Sequence, residues 1–590
     1  MADASYSLET QAVNAEALSL ALQRAASVLA SKSWSVRKFA NVFHDAAVPG
    51  ELESSYDNLS PEALMPYVKR FTPFSQSLLG YELNDVGLDQ LRFEFEDLGS
   101  GQLVARLYNE LQPGESTLAE TYLVSLVAEP DAKRYGENND LDANCFSNFE
   151  LSFVGTDDQD GSHSQGIGSF NLDSEILSLV ENSKDFANGI SASNGIILTS
   201  DPFTQEQLQA AEVAGLAQAK AAEFLANSTW TFQDFANLLH DADLPGEPVS
   251  GFSGQAVEAL LPYVNRYDVY DGGLSSYELN RNGLDQLRFE FEDLGSGQLV
   301  ARLYNELQRG ESTLAETYLM SVIAEPAEKS IAHGEDLSVS DFKNFELSFV
   351  GHEDFDGSQS GGLGSINLDS GVLSLVENSK SVALGVSSSS EMILTSGSGA
   401  QEQKQAEALD LALERAVNFL SESTWSFQQF SNVFQDAELP GEPETSFDNL
   451  SPDALMPYVE RFDVFADALI GYDLNRNGLD QLRFEFEAIG SGQLVARLYN
   501  ELQPGESTLA ETYLVSLISE SSEKGGDNFT VDEFSDFELS FVGIEDQDGS
   551  HSIGLGSLNL DSGLLSLVED SKSLDVGLTS SVEMILAAYS

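Results

Sequence analysis

Leu91-Arg92-Phe93-Glu94-Phe95-Glu96 alternates apolar and charged residues strictly. That period of two predicts a half-buried strand, with Phe93 and Phe95 on a core face and Arg92, Glu94 and Glu96 outward. Gly99-Ser100-Gly101 turns the chain into a returning strand over 102–111, and Pro113-Gly114-Glu115 turns it again into 117–128. The pattern predicts a three-stranded antiparallel meander. A polar, variable segment (130–146) follows, then a fourth strand over 149–154 and shorter ones over 167–172, 176–180 and 196–199.

Upstream the period is helical. Residues 14–31 are rich in Ala and Leu at helical spacing. The spacing Trp34…Phe39…Val42-Phe43 predicts a second, short helix, with Trp34 as core anchor and Ser35 as N-cap. Pro49-Gly50 halts it, and a third helix is expected over 61–68, with Pro61 at its first position after Ser60.

The whole succession occurs three times. The letters from Gly87 to Gln112 return from Gly283 and, with Ala488 and Ile489 changed, from Gly478. Asp89, Asp285 and Asp480 are equivalent, a spacing of 196 and then 195 residues. The expected fold class is α+β: three tandem copies of a domain of about 195 residues, at 1–202, 203–399 and 400–590. Each copy is a helical N-terminal segment followed by an antiparallel β-sandwich or roll.

Composition narrows the function. The chain has 97 acidic and 28 basic residues, a formal net charge of −69, with 42% hydrophobic residues. Such a surface repels nucleic acids and anionic lipid heads, and it favours surroundings rich in salt or divalent cations. Cys145 is the single cysteine, so no intramolecular disulfide or thiolate cluster is available. The first ten residues lack the basic and apolar regions of a secretory signal, and no apolar run approaches the roughly 20 residues that span a bilayer. This leaves the cytoplasm, or the cell exterior reached by a route without a cleaved leader. Acidic, cysteine-poor, Gly/Asp-rich repeat chains resemble clients of one-step bacterial export, although the nonapeptide calcium repeats common among those clients are missing.

Two loops have the chemistry of a hard-cation site, because calcium takes six to eight oxygens and needs a sharp turn to gather them. The first is Asp473, Asn475, Asn477, Gly478 and Asp480; its copies are Glu278, Asn280, Asn282, Asp285 and Glu82, Asn84, Asp89, with Val86 at the fifth position of the earliest copy. It resembles the calcium loops of dockerins and EF-hands, and more closely those of FG-GAP propeller blades, because a strand follows. The resemblance covers about ten residues and implies no shared fold. With so little ligand charge, affinity toward the sub-millimolar to millimolar end is expected. The alternative is an Asn-Gly turn leading into a strand. The second loop carries Asp158 and Asp160, Asp354 and Asp356, and Asp546 and Asp548, each pair followed by Gly-Ser.

The outward hairpin residues Arg92, Arg106 and Tyr108, with Arg288, Arg302, Tyr304 and Arg483, Arg497, Tyr499, form a candidate contact surface, identical in each copy. Their plainer reading is cross-strand ion pairing with the glutamates. His44 is replaced by Gln435 in the third copy, which argues against a catalytic histidine. Nucleophile elbow, phosphate loop, dinucleotide fingerprint and zincin motifs are absent from the sequence. The leading expectation is a non-enzymatic extracellular or cell-surface structural protein, calcium-stabilised and self-assembling, as in a sheath, filament, surface layer or adhesin. A tandem carbohydrate-binding array that takes polysaccharide, and an acidic cytoplasmic scaffold, are the alternatives.

Overall fold

In a computed structural model, the described residues are 8–45, 61–74, 77–111, 118–128, 141–156, 162–185, 189–241, 260–307, 314–324, 338–352, 358–381, 385–397, 400–435, 455–502, 509–519, 531, 534–544, 550–573 and 578–589. Each repeat opens with one long helix: α1 (Leu8–Ser31), α2 (Gln205–Asn227) and α3 (Ala400–Glu422). The Ala/Leu face that predicts α1 is the face it buries, including Leu18, Ala21, Leu22, Ala25 and Leu29. Each helix is tied off by the Trp that follows it. Trp34 Nε1 donates to the Leu29 carbonyl at 2.9 Å, Trp230 to Leu225 at 3.0 Å and Trp425 to Leu420 at 2.9 Å.

The rest is β. Repeat one contains β1 (Ser33–Asp45), β2 (Val68–Pro73), β3 (Leu78–Leu83), β4 (Leu91–Gly99), β5 (Gln102–Asn109), β6 (Leu118–Ala128), β7 (Asn148–Gly155), β8 (Ser162–Asn171), β9 (Ile176–Asp185) and β10 (Ile190–Asp201). Strands β4 to β10 form an antiparallel meander, and β1 closes it by pairing with β10 along one edge. Its other edge is shared: the start of β1 meets β4 (Trp34↔Phe93) and its end meets β3 (Val42↔Gly80), with β2 outermost. The result is a barrel with a two-strand flap. Repeats two and three have the same ten strands and the same pairings except the short one between β1 and β4, whose equivalents only pack against each other.

Three expectations are corrected. The chain is mostly β, not α+β, because each repeat has one long helix and ten strands. The sheets are rolled into barrels and are not paired as sandwiches. The second helix is strand β1, and of the third only a four-residue turn, Pro61–Leu64, is present, ahead of β2. The physical cause lies in β1. A bulge between Val36 and Lys38 shifts the inward positions from Trp34 and Val36 to Phe39 and Phe43, which breaks the period of two and imitates a helix. The opposite face, at Val42, is also buried, so no wet face remains to reveal alternation.

That opposite face is buried by another repeat. Val42 and Leu78 of repeat one pack with Leu294, Val300, Leu319 and Val350 of repeat two. Leu238 and Leu274 of repeat two meet Ile489, Val495, Leu514 and Val542 of repeat three in the same way. Val433 and Leu469 of repeat three return to Leu98, Val104, Leu123 and Val154 of repeat one. The three barrels therefore close into a ring with pseudo-threefold symmetry, and its three seams repeat one set of contacts. Gln102, Gln298 and Gln493, none of them exposed, donate across the seams to the carbonyls of Ser581, Ser193 and Ser389 at 2.8, 3.0 and 2.7 Å. Each long helix lies against its own barrel and the last strand of the preceding repeat, α2 against β10 and α1 against the closing strand Leu578–Tyr589.

Candidate functional site

The pseudo-threefold axis is built by one repeated strand, Phe-Glu-Leu-Ser-Phe-Val-Gly at 149–155, 345–351 and 537–543. Its Phe and Leu residues fill the barrel, so alternation sends Glu and Ser outward, toward the axis. Glu150, Glu346 and Glu538 meet there, one carboxylate oxygen from each lying within 4.8 Å of the other two. Glu346 and Glu538 are only 4% and 6% exposed. A void of about 10 Å³ lies among them, floored by Ile167, Leu363 and Leu555. Two ionised carboxylates at that spacing repel by about 3.5 kcal/mol at an effective dielectric constant of 20, so the triad favours a proton or a cation. Among the described residues, this is the only group of three His, Cys, Asp or Glu side chains gathered closely enough to hold a metal ion.

On the other side of the Ile167–Leu363–Leu555 layer, a cavity of about 60 Å³ is ringed by Ser152, Ser348, Ser540, Asn182 and Asn378. Asn182 Nδ2 donates to Ser348 Oγ at 2.6 Å, and Asn378 Nδ2 to Ser540 Oγ at 2.6 Å. The third pair is Ser152 donating to Asp570. Glycine is required beside this cavity, because a Cβ at Gly554 would stand 2.0 Å from the Phe541 ring and 2.4 Å from the Val568 carbonyl.

The loop residues point to three different places. The first-position acids serve the seams. Asp473 takes two bonds from Arg461, at 2.8 and 2.9 Å, and one from Ser100 of repeat one, at 2.7 Å. Glu82 accepts from Lys69 at 2.8 Å and from Ser296 of repeat two at 2.6 Å, and Glu278 accepts from Ser491 of repeat three at 3.0 Å. Burial pushes the Glu82 carboxyl up, but the bonds from Lys69 and Ser296 outweigh it and hold the group below its ordinary range. The third-position asparagines are helix caps: Asn84, Asn280 and Asn475 Oδ1 accept from Gly87, Gly283 and Gly478 at 3.0, 3.0 and 3.1 Å. Asn282 and Asn477 bond the carbonyls of Pro262 and Pro457, both at 3.4 Å. Asp89, Asp285 and Asp480 follow these short helical turns, the latter two in exposed ion pairs with Arg281 and Arg476, both at 3.0 Å. Asp158, Asp160, Asp354, Asp356, Asp546 and Asp548 lie outside the described residues.

The hairpin face is ordered and outward. The Arg92 guanidinium lies 4.4 Å over the Tyr108 ring, with Arg288 over Tyr304 and Arg483 over Tyr499 both at 4.1 Å. Arg106, Arg302 and Arg497 pair with Glu96, Glu292 and Glu487 at 2.8, 2.9 and 2.7 Å. These are diagonal pairs, since Arg106 stands directly opposite Glu94.

Sequence reasoning missed the axis. The signal was present, a glutamate held at the same strand position in every copy and flanked by core residues. Only the ring contacts show that the three copies converge.

No family model and no curated protein matches the chain. Among solved structures, a double mutant and a single mutant of the vaccine antigen Transferrin Binding Protein B from Haemophilus parasuis overlap 95% of this chain and 76% of their own. Sequence identity is 8% and 9%, with TM-scores of 0.16 and 0.17. Likeness at that level carries no argument about fold or function.

Proposed function

We propose that this chain is a non-enzymatic structural protein of the cell surface or exterior, a preassembled three-lobed ring that presents one contact face three times. The observation that carries the reading is the Arg–Tyr–Glu hairpin face, outward and alike in each copy, on barrels whose other faces are used in closing the ring. Three equal faces on one rigid body multiply a weak contact into avidity, which suits a lattice, a filament or a repeating polymer. No helix among the described residues is long and apolar enough to cross a membrane. The partner is another copy of the chain. Light scattering and electron microscopy should show assemblies that the triple variant R92A/R288A/R483A cannot form; monodisperse single chains under all ionic conditions would refute self-assembly. A polysaccharide partner is the second reading, favoured by the three arginine-stacked tyrosines. It predicts signal on a glycan array that the same variant loses.

Calcium enters this proposal at the axial glutamates. Three carboxylates give a cation more charge than the asparagine-rich loops do, and the same cation would tie all three repeats together. At a hundredfold excess over its dissociation constant it would stabilise the ring by about 2.7 kcal/mol. A thermal midpoint that ignores calcium and chelator, or that responds equally in E346Q/E538Q, would remove calcium from the axis.

A further inference from the structure

The three seams share their geometry but not their chemistry. Lys38, Asp234 and Gln429 occupy the same position, just after the bulge in the first strand of each repeat. On the last strand, Gly195, Glu391 and Glu583 are equivalent, and on the helix of the next repeat Gly215 stands where Asp410 does.

Between repeats one and two the buried groups are bases. Lys38 Nζ donates to Gln218 Oε1 on α2 at 2.7 Å; Glu82 and Lys69 are the other charges that act on it. The rings of His44 and His352 meet across this seam at 4.4 Å, with Lys184 and Arg302 nearby and the Thr317 carbonyl 2.9 Å from His352 Nδ1. Between repeats two and three the buried groups are acids. Glu391 is wholly buried and neither of its carboxylate oxygens makes a hydrogen bond. It presses on the hairpin of repeat three so closely that a Cβ on Gly492 would stand 2.0 Å from its Oε2. Asp234 and Asp410 add their charges to it. Glu278 and Glu414 stand around those two, and Arg266 is the cation that acts on Asp234. The seam that returns from repeat three to repeat one is acidic too and only partly satisfied: Glu583 Oε2 makes no hydrogen bond, and burial raises Glu583 well above 4.5 and Asp570 to about 6. Glu583 accepts from Gln429 at 3.1 Å, and Asp570 accepts from Ser152 and Ser581.

We propose that pH selects the seams at which the ring gives: acid loosens the joint between repeats one and two, and pH above neutral loosens the two acidic joints, most of all the one between repeats two and three, where neither oxygen of Glu391 is bonded. Burial raises the carboxyls, Asp234 from 3.8 to about 7, Asp410 to about 6, and Glu391 well above 4.5. Their stabilisation is present below the unfolded values and is lost as pH rises through 6 to 7. Burial lowers His352 from 6.5 to about 4, so its stabilisation is present above 6.5 and is lost as pH falls toward 4. Lys38, lowered by burial from 10.5 to about 8, adds stability only as pH rises from 8 to 10.5 and is constant over the acid window.

The helices report the seams separately, because α2 rests on the first joint and α3 on the second. Hydrogen exchange of the full chain at pH 5 and pH 8, corrected for intrinsic rates, should show protection of α2 rising about tenfold with pH while that of α3 falls about tenfold. H352I, which places the residue found at Ile544 in repeat three, should flatten the response of α2. D234N/E391Q/D410N should flatten that of α3; if it fails to fold, E391G, which installs the residue found at Gly195, should reduce the response. An α2 that shifts in the same direction as α3, or an α3 response that survives either acid-seam variant, would overturn the proposal.

Discussion

Leu319→Ala distinguishes a ring from three independent barrels. Tyr318 and Met320 point into the barrel of repeat two, whereas Leu319 points out of it. Outward on an isolated barrel it would be a surface residue, and its truncation would cost about 0.5 kcal/mol or less. In the ring it is wholly buried against Val42 and Leu78 of repeat one. Removing a buried leucine to the β-carbon costs roughly 3–5 kcal/mol, the transfer term plus the cavity. The upper half of that range applies, because both walls are sheets fixed by their own ladders and cannot close the gap. With a urea dependence of about 3 kcal/mol per molar, the midpoint for repeats one and two should fall by about 1–2 M. Urea titration followed by site-specific exchange in β1 and β6 of repeat one and their counterparts in repeat two would measure it. A loss below about 0.5 kcal/mol would refute the ring.

Gly554→Ala should destabilise repeat three by about 1–3 kcal/mol or more through overpacking, whereas Gly195→Ala, with no atom within 4 Å of the new methyl, should be neutral or slightly stabilising; thermal melts of the pair compare the two directly. Trp230→Phe leaves the buried Leu225 carbonyl without its donor and should cost about 1–3 kcal/mol, seen as faster exchange at the end of α2. Arg106→Ala breaks an ion pair whose glutamate is half exposed, so chemical denaturation should register less than about 1 kcal/mol while assembly or glycan binding falls.

The meander was legible in the sequence because its outer face is wet: Phe93 and Phe95 alternate with Arg92, Glu94 and Glu96, and the register follows. Strand β1 was illegible because both of its faces are buried and a bulge resets its phase. The loops were legible only as a spacing of oxygen side chains. Asp473, Asn475 and Asp480 have the spacing of a cation loop, yet their side chains serve a seam, a cap and an exposed ion pair. The seams were invisible because nothing in one repeat says which of its outward apolar residues another repeat will cover. Part of the sameness of the hairpin now has a physical cause. Its Gly-Ser-Gly turn fits against the neighbour's Arg461 and Asp473, so it is constrained from both sides.

The ring is closed within one polypeptide, and that changes how it answers dilution and mutation. A trimer of separate subunits comes apart when scarce, whereas here the joints are intramolecular and hold at any protein concentration. In such a trimer a change at one joint is necessarily made at all three, so a buried lysine and a buried aspartate could never share a position. Lys38, Asp234 and Gln429 do share one. Tandem duplication has released this assembly from obligatory symmetry, and one joint can be altered while the other two keep the lobes together.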